Sequence, residues 1–354
     1  MDELPGLVVR GFYGNNNCGD EALLATMIQY FSHDFRIIIS ANNLVYVKEK
    51  FITPKIPPYD KLKVIWSLNR GALAAPDVAG LLLGGGGLGL GFGWDQYMFA
   101  WRYGKKIIHT GVHITEEFIS ENSADFNNVT STFLRAANFF SVRHQRSIVV
   151  AEKLGVHPKY VPDWAFGLNQ TEGPKPKGDY IVVTIRADTN RNNPRTAVFL
   201  KSIMDYAAGE GLSVALVPFD ASDQNLTRSL DIKGEMMGNL FSKPTYVKYL
   251  LGQAKAVFSL GRYHPLVFGM SNDVPTFSLD TVRPGRSDDK TCLQLVEDGL
   301  EDFHFPTNRI DEFTPAEIAR LVRVYGDDGL AKPFLGHKAA VDQAAADILQ
   351  VLKS

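Results

Sequence analysis

Short apolar runs separated by helix-length segments recur along the chain, and this alternation limits the fold more than any other feature. Leu7 to Arg10, Arg36 to Ala41 (RIIISA), Lys63 to Trp66, Val78 to Leu83 and Lys106 to Val112 read as strands, with Ala136 to Val142 and Tyr160 to Val161 as weaker ones. A helix is expected from Asp20 to about Phe31 between the first two. Such a pattern argues for βαβ units and parallel sheets. It breaks at Asn169 to Asp179 (NQTEGPKPKGD), whose prolines, glycines and mixed charges suit a linker. It then restarts. Tyr180 to Arg186 (YIVVTIR) is the clearest strand, followed by a helix from Ala197 to Glu210 and a strand from Leu212 to Pro218. A helix opening at Ser222 to Leu230, strands Ala256 to Leu260 and Thr276 to Leu279, and a helix starting near His264 complete the unit. Pro315 to Tyr325 and Ala339 to Leu352 have the spacing of amphipathic helices.

A length of 354 residues agrees with two domains. The expected division is an α/β domain over 1–170, a second over 178–335, and a C-terminal helix over 336–354 that packs back on the first, with ligand in the cleft between the two.

Composition removes several classes. The 45% hydrophobic and 21% charged residues belong to an ordinary globular chain. Thirty-seven Lys and Arg against 39 Asp and Glu give a net charge of -2, without the basic excess of a nucleic-acid binder. Cys18 and Cys292 have no metal or disulfide spacing. The N-terminus has no apolar core of a signal peptide. The longest uncharged run, Val78 to Trp94, is too short and too rich in glycine to span a bilayer. These features lead to the expectation of a cytoplasmic protein.

Four motifs carry the candidate chemistry. The first, Gly11-Phe-Tyr-Gly14-Asn15-Asn-Asn-Cys-Gly19-Asp20-Glu21, follows a strand and opens a helix, where free N–H groups can meet an anion or hydroxyl. A well-capped βα turn would account for it equally. The second holds eight of the 31 glycines between Gly80 and Gly93, including Gly84, Gly85, Gly86 and Gly87. It contains a formal G-x-G-x-x-G, but His109 stands where a dinucleotide site needs a ribose-binding acid. What remains is a bare strand end that something must approach closely, with Asp95 as a polar contact at its rim. The third runs from Ser141-Val-Arg143-His144 to Arg146-Ser147 and on to Pro162-Asp163-Trp164. It reads as structural, with Arg143 paired to Asp163 and Ser147 on a helix surface.

The fourth is the sharpest: a buried strand ends in Gly261-Arg262-Tyr263-His264-Pro265 where a helix begins. Proline suits the first helical turn, and Arg beside His makes an anion site with a proton donor in reach. Arg186 points to the same region, while Arg191, Arg195, Arg283 and Arg286 read as solvated charges. His109 and His113 have a metal-compatible spacing but no third ligand, and read as structural. There is no G-x-S-x-G, no P-loop and no H-E-x-x-H.

Taken in order, GFYGNNNCGDEALL, LLLGGGGLG before Asp95, SVRHQRS with LGV and PDWAF, VPF with Asp223 downstream, and GRYH before a helix resemble the polysaccharide pyruvyl transferase family. The resemblance spans roughly residues 6 to 280. The sequence departs from the family pattern at Tyr263, commonly leucine, at His144, commonly aspartate, and at Gly111 to His113, commonly Gly-Pro. The resemblance implies two Rossmann-like domains, GT-B-like, and transfer of the enolpyruvyl-derived group of phosphoenolpyruvate to two hydroxyls of a sugar. A pyruvate ketal forms and phosphate is released. On this reading Arg186, Arg262 and His264 bind the donor, and His264 and Arg262 act in catalysis. Gly14, Asn15, Asp20, Glu21, Gly85, Gly86, Gly87 and Asp95 face the acceptor. Neither a cofactor nor a metal is expected, phosphoenolpyruvate being a co-substrate. A lipid-linked acceptor would imply transient membrane association without a span. Two alternatives stay open: glycosyl transfer from a nucleotide sugar, and glycan binding without catalysis.

Overall fold

All six residues of Tyr180–Ile185 are buried, as required of a parallel strand covered by helices on both faces. The same holds for Gly6–Arg10. The computed structural model describes residues 4–41, 43, 49, 63–66, 71–85, 94–280, 290–327 and 330–354. The chain divides into two units, Met1–Leu168 with Ala339–Ser354, and Asn169–Lys338.

In the first unit, β1 (Gly6–Arg10), β2 (Arg36–Ala41), β3 (Lys63–Trp66), β4 (Val78–Gly84), β5 (Lys106–Val112), β6 (Phe139–Val142) and β7 (Lys159–Tyr160) form one sheet in the order β3-β2-β1-β4-β5-β6-β7. In the second, β8 (Tyr180–Ile185), β9 (Ser213–Leu216), β10 (Glu235–Met236), β11 (Val257–Leu260), β12 (Thr276–Leu279) and β13 (His304–Phe305) take the order β10-β9-β8-β11-β12-β13. All strand pairs are parallel. Both sheets therefore reverse direction of growth once, between β1 and β4 and between β8 and β11. Loops leaving the C-terminal ends of those strands diverge to opposite faces, which opens a crevice at each switch point. The first and fourth motifs lie on these loops, and Gly84 and Gly85 of the second lie at the end of β4.

Helix starts are set by capping. Asn17 accepts from Gly19 N–H at the start of Cys18–Phe31, and Asn193 from Arg195 N–H at Pro194–Gly209, where proline occupies the first turn. One helix went unread in the sequence although Phe126, Val129, Phe133 and Leu134 follow its period. Ala124–Ala136 is rich in Asn, Thr and Ser and buries only Thr130, Ser131 and Leu134, yet Ser123 caps it as a helix. Its C-terminal residue takes up Ala136, so the strand expected from there begins only at Phe139.

The final helix, His337–Lys353, lies largely in the first unit. Val341, Ile348 and Leu352 are buried, Lys159 pairs with Asp347 at 2.9 Å, and Lys353 with Asp34 at 2.6 Å. Gly80 gives Leu352 its place: a Cβ there would lie 2.8 Å from Leu352 Cδ2 and 2.7 Å from the Lys106 carbonyl oxygen. Ile348→Ala should destabilise the first unit by about 2–4 kcal/mol through lost burial and a residual cavity. Urea denaturation followed by circular dichroism measures it, with Gln350→Ala on the exposed face as the near-neutral control.

Candidate active site

At the first switch point, Arg10 ends β1 and the chain enters the asparagine loop. Tyr13 is fully buried and donates its hydroxyl to the Gly84 carbonyl at 3.0 Å, tying the loop after β1 to the end of β4. This contact explains two glycines. A Cβ at Gly11 would sit 2.2 Å from the Tyr13 ring, and one at Gly84 would sit 2.8 Å from its hydroxyl. Gly85 has φ +59°, and a Cβ there would come within 2.6 Å of Leu23. The groups that approach these glycines closely are thus side chains of the same unit. Gly86 and Gly87 lie outside the described residues.

Glu21 is fully buried, and its Oε1 accepts from the Gly14 N–H at 2.9 Å. Gly14 (φ 79°) and Asn16 (φ 61°) take left-handed conformations that let the loop fold over the carboxyl. Burial raises the Glu21 pKa to about 8, aided by the charge of Asp20 and opposed by the loop N–H groups. Glu21 therefore supports the loop from beneath. Asn15 and Asp20 are partly exposed on its outer side, whereas Gly14 is buried. Burial lowers the Arg10 pKa, and Asp95, in the first turn of Trp94–Arg102, opposes that shift electrostatically without overcoming it. The sequence reading passed over Arg10; the signal was a cation closing an otherwise apolar strand.

The third motif is a buried framework beside this crevice. Arg143 and Asp163, 1% exposed each, pair at 2.8 Å. Trp164 Nε1 donates to Thr110 Oγ1 at 2.8 Å, which lies 2.7 Å from Ser141 Oγ. Ser147 corrects the expectation of a helix surface. It is fully buried, accepting from Ile114 N–H at 3.1 Å and donating to Ile114 O at 2.9 Å, because its helix turns that side onto the end of β5. His109 is buried mid-strand, and desolvation depresses its pKa to about 4. No group of residues suited to a metal occurs among the described residues.

At the second switch point the structure brings Arg186 and the Arg262–His264 turn onto adjacent strand ends. Arg186 N–H donates to the Leu260 carbonyl at 3.0 Å. The buried Asn190 side chain donates to both the Arg186 and Leu260 carbonyls, at 2.8 and 3.1 Å. Gly261 (φ 82°) makes the turn that follows, where a Cβ would lie 2.9 Å from Thr189 Oγ1.

Arg262 is held by two carboxylates. Its Nε and Nη2 donate to Asp223 Oδ2 and Oδ1, each at 2.7 Å, and Nη2 also meets Asp220. Asp223 is fully buried and further accepts from Ala187 N–H at 2.9 Å and Phe219 N–H at 3.3 Å. Burial lowers the Arg262 pKa, but hydrogen bonds and charge from the aspartates outweigh it and leave it raised. Arg186 differs: its fork holds Asp188 at 2.7 and 2.6 Å in a pair whose side chains are 35% and 61% exposed. His264 starts the helix His264–Met270 with Pro265 in its first turn, and is partly exposed. Sequence reasoning did not find Asp220 as a partner of Arg262. A cavity of about 920 Å³ in the same unit runs from Asn190–Leu200 to Leu226–Ile232 and includes neither Arg262 nor His264.

Two sheets of this strand order, each with its candidate groups at the switch point, define the class: a GT-B-like protein. The chain can be compared with a putative UDP-N-acetylglucosamine 2-epimerase from Listeria monocytogenes (TM-score 0.61, 13% identity, 100% of this chain and 97% of that one). It is similar also to UDP-GlcNAc 2-epimerase from Methanocaldococcus jannaschii (TM-score 0.59, 12%, 98% and 99%). A third likeness is to the calicheamicin glycosyltransferase CalG4 (TM-score 0.59, 11%, 100% and 99%). At such identities these likenesses concern the fold alone. No curated protein matches the chain significantly. The sequence model of the polysaccharide pyruvyl transferase family matches residues 17–281, three quarters of the chain, and the protein belongs to that family.

Two predictions arise from the buried carboxyls. Asp223→Ala should cost about 3–5 kcal/mol by leaving Arg262 without its buried partner, whereas Asp188→Ala should cost under about 1 kcal/mol; urea denaturation compares them. Glu21, raised in the folded state from 4.5, contributes stability that is present below that value and lost as pH rises toward 8. His109, lowered from 6.5 to about 4, contributes stability that is lost as pH falls through that range. Between pH 7 and 8 the Glu21 slope outweighs the opposing one from His109, so these two groups together make stability fall with pH, and Glu21→Gln should flatten that fall. Denaturation midpoints across this range provide the check.

Proposed function

We propose that the protein transfers the enolpyruvyl-derived group of phosphoenolpyruvate to two hydroxyls of a sugar, in a polysaccharide or its precursor, forming a cyclic ketal and releasing phosphate. The observation that carries this reading is the Arg262–His264 turn at the switch point of the second sheet, inside the span matched by the family. Phosphoenolpyruvate presents a carboxylate and a phosphate. The two arginines divide between them according to how tightly each is already held. The exposed Arg186–Asp188 pair is worth little, about 0–1 kcal/mol, so its guanidinium can exchange Asp188 for a substrate anion. Arg262 stays fixed by Asp223, and Nη1, which has no acceptor among the described residues, is the edge it offers.

His264 is the general acid. It protonates the methylene carbon, leaving an oxocarbenium at C2; one sugar hydroxyl attacks C2 and gives up its proton. The C2–O bond to phosphate then breaks, a second hydroxyl attacks the new cation, and loss of its proton closes the ketal. Histidine suits this step because its ordinary pKa lies near neutral pH. At the first sheet, Asp20, Asn15 and Asp95 are the groups proposed to meet acceptor hydroxyls. Gly14, Glu21 and Gly85 are proposed to shape the loop ends beside them. An acceptor carried on a lipid would come to the protein at a membrane surface; no helix among the described residues is long and apolar enough to cross one.

Phosphate release from phosphoenolpyruvate in the presence of a panel of sugar acceptors tests the reading. His264→Ala should lower turnover by about 10²–10⁴-fold with the fold retained by circular dichroism. Wild-type turnover in that variant removes the acid role. Release of a nucleoside diphosphate from nucleotide sugars, with none of phosphate from phosphoenolpyruvate, replaces pyruvyl transfer by glycosyl transfer.

A further inference from the structure

Behind His264 lies a run of buried polar groups that the reaction above does not use. Tyr263 is 3% exposed, and its ring meets the His264 imidazole edge-on, with centroids 5.4 Å apart and planes at 74°. The Tyr263 hydroxyl donates to Gln294 Oε1 at 2.6 Å. Gln294 Nε2 donates in turn to Asp298 Oδ2 at 2.6 Å, and Asp298 Oδ1 lies 2.9 Å from His337 Nε2. Gln294 and Asp298 are 2% and 1% exposed.

Burying a phenol, an amide and a carboxylate together is costly unless each finds a partner, and an apolar core would fill the same space with less risk. Such a network has one clear physical consequence: it holds its members in a single arrangement. Here the member at the outer end is an aromatic ring packed against His264. Keeping the hydroxyl on Gln294 fixes how far that ring can move, and so fixes the surface on which the imidazole rests. Lys290 Nζ stands 5.7 Å from the Tyr263 ring centroid, adding a contact on the ring itself.

We infer that Tyr263 is a positioning residue for His264, anchored from behind by Gln294, Asp298 and His337. The inference rests on the reading of His264 as the acid. Misplacing a catalytic group by about 1 Å can lower a rate by up to about 10²-fold, so a tether of this kind has a measurable effect without touching substrate.

The test uses the full chain in two arms. In the first, histidine-labelled protein is followed by NMR, the His264 signal being assigned by its loss in His264→Ala. Tyr263→Phe, which removes one oxygen, should move that signal toward the position of an unstacked imidazole, and Asp298→Asn should move it the same way by less. A His264 signal unchanged in both variants overturns the inference. The second arm is phosphate release from phosphoenolpyruvate. Tyr263→Phe should lower kcat by roughly tenfold and leave KM within about twofold, the mark of a group that acts on the reacting geometry rather than on binding. Adding Tyr263→Phe to His264→Ala should cause no further loss, because the tether has nothing left to place. A full additional loss in that background shows a general structural role and also overturns the inference. Should His264→Ala keep wild-type turnover, the acid role falls, and the NMR arm decides the positioning by itself.

Discussion

Parallel strands cannot be joined by tight turns, so each one in this protein hands its chain to a crossover that returns to the opposite end of the sheet, where the next strand starts. Between β1 and β4 and between β8 and β11 the order of the strands reverses, which places two neighbouring strand ends whose connections lead away to opposite faces. The placement of every candidate group depends on this geometry. Arg10 ends β1 and the asparagine loop leaves it, Gly85 follows β4, Arg186 follows β8, and Arg262 with His264 follows β11. Residues far apart in sequence meet because the sheet order makes their strands neighbours.

At these ends, the charged side chains fall into two groups. Glu21, Asp163 and Asp223 are buried, and each accepts a backbone N–H of a loop that it holds: Gly14, Ala165 and Ala187 respectively. Asp188, Asp20 and Arg186 are more exposed and remain able to change partner. The difference matters because a buried charge pair with additional hydrogen bonds keeps its geometry, whereas an exposed pair is weak enough to be exchanged for a ligand. Arg262 is the better fixed of the two arginines for this reason. His264 gains definition from Tyr263, whose hydroxyl lies at the head of its own buried network.

Much of this was legible in the sequence. The strands at 36–41, 63–66, 106–112 and 276–279 occupy the positions that their apolar runs indicate. The GRYH turn could be read because proline and histidine follow a buried strand directly. The pairing of Arg143 with Asp163 was also accessible, since two charges in apolar surroundings need each other. Less visible were groups whose role depends on which way a helix faces. Ser147 looks like a surface residue until its helix is docked, and Glu21 looks like an open first-turn carboxylate until the loop folds over it. Ala124–Ala136 was legible but not read: Phe126, Val129, Thr130, Phe133 and Leu134 recur at helical spacing, and only their dilution by Asn, Thr and Ser obscures the stripe.

The sequence by itself determined the class of fold, the family and the short motifs that mark the strand ends. These are local properties: apolar period, proline and glycine placement, and residue types at fixed spacing. Only the tertiary structure decided what approaches the glycines. The reason is one of distance along the chain, since Tyr13 reaches Gly84 across 71 residues and Arg262 reaches Asp223 across 39. Those contacts exist because the sheet order juxtaposes the strand ends, and no local pattern encodes which of several charged or aromatic side chains will fill the resulting space.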